Sequence, residues 1–262
     1  MFQSPSDVLF SFWGINIYYY GLFIALAIVA GFFVSFFVMK KYYPSLEKDT
    51  LYDLMLWIIP FGIVGARAYY VLLCLDYYMK NPFEVFMIQN GGLSIHGAVL
   101  GGILGGYIFL KKHNLSFLKY ADIVSFGLPV AQAIGRIGNF FNSEAYGKPT
   151  DLPWGVFIPI EKRRFEYIDY DTYHPTFLYE GIGDVVIFLI LVFIMRKLFD
   201  GRDGGIFFSY LILYSALRLV IESIRIDSVL NISGVPAASV ISILIIGISA
   251  GFLYYTNRKR EC

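Results

Sequence analysis

Charged residues and cysteines are both scarce in this chain. Asp, Glu, Lys and Arg make up 16% of its 262 residues, whereas soluble globular proteins carry about 25%. The net charge of +1 provides no basic field for nucleic acid, so we expect no nucleic-acid partner. Two cysteines, Cys74 and Cys262, are too few and too far apart for a disulfide framework or a zinc site. The sequence therefore predicts neither a metal nor another cofactor.

Hydrophobic residues form 57% of the chain and give it a mean hydropathy of +0.62. No basic region precedes the first apolar run, so we expect a retained helix there and not a cleaved signal peptide. A helix needs roughly 20 apolar residues to span a bilayer. The runs that qualify are Tyr18–Met39, Leu51–Leu75, Leu93–Leu110, Ala121–Phe141, Phe177–Met195, Gly205–Ile226 and Pro236–Tyr255. We predict an all-α integral membrane protein with seven transmembrane helices, in which residues 1–262 form a single membrane domain.

One connection, residues 142–176 between the fourth and fifth helices, is much longer than the others. Its prolines and charges predict a small extracytoplasmic element made of either strand or loop.

Twelve of the 21 basic residues follow the odd-numbered predicted helices, namely Lys40, Lys41, Lys48, Lys111, Lys112, Lys119, Arg196, Lys197, Arg202, Arg258, Lys259 and Arg260. By the positive-inside tendency, the N-terminus lies outside and the C-terminus lies in the cytoplasm.

Several polar residues fall inside the predicted helices. The arginines among them are Arg67, Arg136, Arg218 and Arg225. A charge at the bilayer centre costs about 2.5–3.5 kcal/mol, so such residues usually face a bundle interior or a cavity. With a rise of about 1.5 Å per residue, Arg136 lies roughly 7 Å below the outer end of its helix, and Arg67 and Arg218 roughly 12 Å. Because Tyr20, His96 and Glu180 also lie near outer ends, we predict one cavity that opens toward the outer leaflet.

The run Gly135–Gly147 ends the fourth helix with closely spaced polar residues. Arg136 and Asn139 are three residues apart and share a helix face. The structural alternative to a binding site is a charged helix end in which Arg136 pairs with Glu144. The run is similar to the signature of the prolipoprotein diacylglyceryl transferase family: Gly-Arg, any residue, Gly or Ala, Asn-Phe, an apolar residue, Asn, any residue, Glu, any two residues, Gly. The matching residues are Gly135, Arg136, Gly138, Asn139, Phe140, Phe141, Asn142, Glu144 and Gly147.

The stripe Tyr214, Arg218, Glu222 and Arg225 on the sixth helix is spaced four, four and three residues apart. It resembles the family's second essential arginine region, where Arg218 takes the arginine position. An ion pair between Arg218 and Glu222 that merely locks the bundle is the structural alternative, although buried ion pairs often add little stability.

The segment Gly91–Gly97 resembles the family's His-Gly-Gly stretch, with Ala98 in place of the second glycine. The resemblance implies a catalytic histidine at His96; the alternative is a packed, hydrogen-bonded core histidine. Gly97, Gly101 and Gly105 follow at four-residue spacing, which predicts close helix packing.

Three further segments match family patterns. His174–Glu180 matches His-Pro, two residues, Leu-Tyr-Glu, where Glu180 is expected to pair with one buried arginine and His174 could instead cap the helix. Tyr20-Gly21 also matches, and Tyr20 is either functional or an interfacial anchor. The segment Gly65–Arg67 matches as well, and we interpret its arginine, Arg67, as structural.

The resemblance implies that the thiol of a prolipoprotein lipobox cysteine attacks the glyceryl carbon of phosphatidylglycerol. A thioether would form and glycerol 1-phosphate would leave, in the bacterial cytoplasmic membrane. A thiol with a pKa of about 8.5 needs a base, for which His96 is the candidate, with Tyr20 and His174 ranked lower. Arg136 would bind the lipid phosphate, and together with Arg218 it would neutralise the leaving group.

The remaining candidate substrate-binding residues are Asn139, Glu144, Gly147, Glu180, Glu222 and Arg225, of which Asn139 and Glu144 would orient the head group or Arg136. The predicted partners are phosphatidylglycerol, prolipoprotein signal peptides and membrane lipid. Two other functions remain open. A secondary transporter would be expected to place its charges near the midplane, with inverted repeats or broken helices. A non-catalytic membrane scaffold would not concentrate polar residues in one leaflet.

Overall fold

The computed structural model describes residues 2–12, 15–88, 91–226, 231–232 and 235–261. Its helices are α1 Tyr19–Tyr42, α2 Asp49–Leu73, α3 Leu75–Lys80, α4 Ile95–Lys112, α5 Phe117–Asn142, α6 Thr176–Ile190, α7 Arg196–Leu198, α8 Gly205–Glu222 and α9 Ala237–Glu261. A π-helical turn, Leu191–Met195, joins α6 to α7. Each predicted span therefore contains one long helix, with ends that differ by a few residues.

Five helical stretches are long and apolar enough to cross a membrane: Tyr19–Tyr42, Asp49–Leu73, Thr176–Leu198, Gly205–Glu222 and Ala237–Thr256. The prediction of a helical integral membrane protein is confirmed at this level. The third and fourth predicted spans, α4 and α5, are helical but are not among the five. Five glycines, His96 and two lysines in α4 and the polar residues of α5 lower their hydropathy. The crossing of the bilayer by these two helices therefore stays a prediction.

The structure divides into two compact units. The first comprises Met1–Ser35 and Ala121–Cys262, and the second comprises Phe36–Tyr120. In the second unit, α2 packs along the glycine face of α4. A Cβ added to Gly65 would lie 2.9 Å from the Cα of Gly101, and one added to Gly105 would lie 2.7 Å from the Cβ of Phe61. The glycines thus allow the close backbone approach that their spacing predicts.

In the first unit, Asp122 holds the beginning of α8. The backbone N–H groups of Gly204 and Phe207 each donate to the Asp122 carboxylate at 2.7 Å, and the carboxylate is buried. An anion at this position satisfies backbone donors that a helix start leaves unpaired. This contact connects α8 to α5, the helices that carry Arg218 and Arg136.

The insert, residues 142–176, contains short strands and turns. Strand β4 (Val156–Phe157) pairs in parallel with β1 (Phe2–Gln3) and antiparallel with β5 (Thr172–Tyr173). Val156 lies opposite Tyr173, and both are buried with Tyr146 in a small core. Burial raises the pKa of the Tyr173 phenol above its ordinary value. The sequence left open whether the insert is strand or loop, and the structure shows that it contains both.

A hairpin before α1 was not predicted. Strand β2 (Val8–Phe12) pairs antiparallel with β3 (Ile15–Tyr18), and Phe10 lies opposite Ile17. A second short pair, β6 (Asn231–Ile232) with β7 (Val235–Pro236), precedes α9. These segments are too short to give a periodic pattern. The fold is therefore helical apart from short strands that lie outside the long helices.

Candidate active site

Glu180, near the beginning of α6, is the centre of an ion-pair cluster in the first unit. Its side chain is 2% exposed, and its carboxylate pairs with the guanidinium groups of three arginines. Arg136 of α5 contacts Oε2. Arg218 of α8 lies 3.3 Å from Oε1, and Arg225, three residues after α8, lies 2.5 Å from Oε1. The sequence predicts that Glu180 pairs with one arginine, whereas in the structure it pairs with three.

Arg218 connects Glu180 to a second carboxylate. Its Nη2 lies 2.7 Å from Oε2 of Glu222, one helical turn further along α8. The ion pair of the structural alternative thus exists, but it belongs to a larger cluster of three guanidinium groups and two carboxylates. Such a cluster can present several N–H donors to an anion, because each guanidinium has five.

Asp184, four residues after Glu180 on α6, is a further buried acid that lies in none of the motifs described above. It is completely buried, and its two carboxylate oxygens have no hydrogen-bond partner within the described ranges. Its charged neighbours are Arg136 and Glu180. Only its position inside an apolar run signalled it in the sequence, since an unneeded acid is rarely retained there.

The signature residues Asn139 and Glu144 bind each other. Nδ2 of Asn139 donates to Oε1 of Glu144 at 2.7 Å, and Nδ2 of Asn142 approaches the same oxygen at 3.4 Å. Arg136 pairs with Glu180 and not with Glu144, so the charged-helix-end alternative is wrong in that detail. The asparagine amides therefore orient the Glu144 carboxylate.

The turn around Glu144 is strained. Its neighbours Ser143 and Ala145 have φ angles of +53° and +55°, which non-glycine residues seldom adopt. Thr176 supports this conformation, because its Oγ1 donates to the carbonyl oxygen of Ala145 at 2.6 Å. Strained backbone that is held in place by its surroundings is frequent at functional sites.

Gly147 closes the signature at a crowded backbone junction. Its N–H donates to the carbonyl oxygen of His174 at 2.8 Å, and the residue forms a bridge with Arg225. A Cβ at this position would lie 2.8 Å from Cγ2 of Thr176 and 2.9 Å from Cγ2 of Ile224. Close packing against Thr176 and Ile224 explains why this position is a glycine.

Tyr20 and His174 also belong to the first unit. The Tyr20 ring packs against Gly138, where an added Cβ would lie 3.0 Å from Cδ2 of the tyrosine. Nδ1 of His174 lies 3.2 Å from the hydroxyl of Tyr179, which accepts a hydrogen bond from Nε1 of Trp154. The His174 side chain does not cap α6, so the capping alternative is wrong.

His96 belongs to the second unit, whereas the residues described so far belong to the first. It is the second residue of α4, its side chain is exposed, and its ring centroid lies 6.0 Å from that of Tyr69. The alternative of a buried core histidine is therefore wrong. Arg67 of the same unit is buried and bonded to backbone carbonyls.

A cavity of about 500 Å³ opens beside the signature turn. Its lining residues are Asp7, Tyr18, Asn142, Ser143, Glu144, Ala145, Tyr146, Lys162 and Arg164. The arginines that pair with Glu180 do not line it, so the prediction of one outward-opening cavity that holds them is untested. Among the described residues, no group of three or more His, Cys, Asp or Glu is arranged to hold a metal ion.

Comparison with known proteins places this arrangement in a family. The family model for prolipoprotein diacylglyceryl transferase matches residues 7–255. The chain belongs to the prolipoprotein diacylglyceryl transferase family. It is 43% identical to a phosphatidylglycerol–prolipoprotein diacylglyceryl transferase of Finegoldia magna, over 97% of this chain and 96% of the relative. Relatives with the same name from Nostoc sp. and Clostridioides difficile are 40% and 38% identical, over 99% and 97% of this chain and 93% and 96% of theirs.

Family membership confirms the resemblance that the signature indicated. The chain is thus a transferase and a multi-pass membrane protein, in agreement with its apolar helices. None of these findings favours a transporter or a non-catalytic scaffold.

Proposed function

We propose that this chain transfers the diacylglyceryl group of phosphatidylglycerol to the lipobox cysteine of prolipoproteins. The sulfur forms a bond to the glyceryl carbon, the carbon–oxygen bond to the phosphate breaks, and glycerol 1-phosphate leaves. The thiol proton passes to a base on the enzyme. The observation that carries the proposal is the convergence of Arg136, Arg218 and Arg225 on Glu180.

The arginine cluster is suited to the leaving phosphate. The departing group gains negative charge, and a preorganised cation stabilises such charge strongly in a site of low dielectric. Glu180 holds the three guanidinium groups together before substrate binds, which limits the repulsion between them. Arg136 and Arg218 retain N–H groups that can bind phosphate oxygens in a bidentate manner.

His96 is the proposed base for the thiol. An imidazole titrates near neutral pH and can accept a proton from a nearby thiol. Its exposed side chain at the beginning of α4 is open to a second molecule. Tyr20 and His174 remain the alternatives.

The other signature residues have supporting roles in this proposal. Asn139 and Glu144 orient the head group through the hydrogen-bonded pair at the strained turn. Gly147, Glu222 and Arg225 are the remaining proposed substrate-binding residues. The test is formation of a thioether in vesicles that contain the purified protein, phosphatidylglycerol and a lipobox peptide. Release of glycerol 1-phosphate in equal amount is expected, and transport of solute without thioether would contradict the proposal.

We also propose that the whole chain is one membrane domain with seven spans in a bacterial cytoplasmic membrane. The basic residues in the last turns of α1, α4 and α9, in α7, and in the connections that follow α1, α4 and α7 support an outside N-terminus and a cytoplasmic C-terminus. A reporter that is active only outside the membrane should be active when fused after Lys162 and inactive after Arg260. The reverse pattern would overturn both the orientation and the outer-leaflet site.

The attacking sulfur should belong to the substrate and not to the enzyme. Cys74, between α2 and α3, is a free thiol, and Cys262 lies outside the described residues. A protein that carries both Cys74→Ser and Cys262→Ser should retain most of its activity in the same vesicle assay. Loss of activity with normal folding would indicate a covalent enzyme intermediate instead.

A further inference from the structure

Arg67 is a buried arginine of α2 whose guanidinium is occupied by backbone carbonyls. Nε donates to the oxygen of Val85 at 2.9 Å, and Nη1 donates to the oxygens of Gly91 and Gly92 at 2.8 and 3.0 Å. Nη2 donates to the oxygen of Glu84 and more weakly to that of Met87. No carboxylate of the described residues forms an ion pair with it, so carbonyl dipoles solvate its charge.

These carbonyls come from the two ends of one loop. Val85 belongs to the 3₁₀ turn Pro82–Phe86, whereas Gly91 and Gly92 lie a few residues before α4 begins at Ile95. Gly91 and Gly92 have φ angles of +84° and +73°, a conformation that L side chains seldom adopt. A Cβ on Gly92 would lie 2.5 Å from Nη1 of Arg67. The glycines thus bring their carbonyl oxygens up to the guanidinium.

The same turn of α2 has further contacts with the beginning of α4, where Gly97 packs closely against Gly65. The N–H of Ser94 donates to the carbonyl oxygen of Ala66 at 3.0 Å, and the ring of Tyr69 packs near His96. His96 is four residues after Gly92. The backbone before His96 is therefore attached to α2 at Gly91, Gly92 and Ser94, and Arg67 supplies the side-chain hydrogen bonds of that attachment.

We propose that Arg67 is a positioning residue that fixes the start of α4 and thereby the direction in which His96 faces the substrate thiol. The proposal rests on the assignment of His96 as base. Arginine suits the task because its rigid fork reaches carbonyls on both sides of the loop. A lysine keeps the charge, but its single ammonium group has three donors and cannot span both ends.

The test compares Arg67→Lys with Lys80→Met, which removes an exposed cation of the same unit. In proteoliposomes, Arg67→Lys should lower kcat at least about 10-fold, because a small misplacement of a catalytic group is costly. The KM for phosphatidylglycerol should stay within about 2-fold, since the base acts on the thiol. Lys80→Met should change neither value. An unchanged kcat in Arg67→Lys would overturn the proposal.

A double-mutant cycle separates positioning from a general structural role. If Arg67 acts through His96, adding Arg67→Lys to His96→Ala should cause no further loss of residual activity beyond about 2-fold. If the activity losses of the two substitutions multiply and the yield of folded protein falls, Arg67 has a general structural role and the proposal is contradicted.

A measurement that does not depend on enzyme activity tests the positioning contact even if His96 is not the base. The rate at which diethyl pyrocarbonate modifies His96, mapped by mass spectrometry, should change in folded Arg67→Lys protein and not in Lys80→Met. An active His96→Ala protein with a changed modification rate would remove the base assignment but keep the positioning contact. An unchanged rate would remove the positioning contact itself.

Discussion

Arg136→Lys is expected to reduce thioether formation on the order of 100-fold. The substitution keeps the charge but removes the planar fork, so the residue can no longer hold Glu180 and bind a phosphate oxygen with paired N–H groups. Arg218→Ala should cause a loss of similar size, because it removes a charge next to the departing phosphate and leaves Glu222 without its 2.7 Å partner. The measurement is the initial rate of product formation in vesicles with phosphatidylglycerol and a lipobox peptide.

Arg258→Lys is the matched control for these variants. Arg258 is exposed near the end of α9, so exchange of its guanidinium for an ammonium should leave the rate unchanged. Folded yield and thermal unfolding should be compared across all variants, since loss of an ion pair to buried Glu180 also destabilises the fold. If folded Arg136→Lys and Arg218→Ala proteins are both active, the phosphate-clamp mechanism fails and a transporter or scaffold function has to be reconsidered.

His96→Ala is expected to reduce transfer by about 100- to 10,000-fold, the range that general base catalysis contributes. Phosphatidylglycerol binding should remain nearly unchanged, because the imidazole acts on the thiol and not on the lipid. The two effects can be measured on one preparation, with lipid binding by equilibrium partition and transfer by product analysis. A residual rate that rises with pH would agree with direct ionisation of the substrate thiol.

His113→Ala is the matched control, since His113 follows α4 and packs against Phe109 with ring centroids 4.5 Å apart. It should transfer at the unaltered rate. Should His96→Ala transfer normally as well, the base assignment is wrong. Tyr20→Phe and His174→Ala would then be the next variants to measure.

The sequence predicted the long helices well and their exact ends less well. Apolar runs of membrane length leave few alternatives to a helix, because every backbone polar group must be satisfied within the segment. The short elements were harder. The hairpin β2–β3 and strands β4 and β5 have two to five residues each, and no periodic pattern can be read from so few positions. Residues 142–176 were therefore recognised as an insert without a predicted structure.

The sequence indicated the three arginines that pair with Glu180 but not their mutual contacts. The signature indicated Arg136, and the polar stripe of the sixth helix indicated Arg218 and Arg225. Their common partner could not be identified from spacing, because helical periodicity relates residues within a helix and not between helices. Asp122 and Asp184 were not selected for the same reason. Each is an isolated acid in its own helix, and its importance depends on which neighbouring segment packs against it.

By itself, the sequence determined that the chain is a membrane protein and that its motifs resemble one transferase family. Composition and local order are sufficient for these conclusions, because hydrophobicity, helix length and motif spacing are properties of contiguous segments. Only the tertiary structure decided that Glu180 pairs with three arginines, that Glu144 binds asparagines, and that Arg67 holds the loop before His96. The contacts of Glu180 and Arg67 join residues that are far apart in sequence, which only packing brings together, whereas those of Glu144 depend on the backbone of the turn after α5.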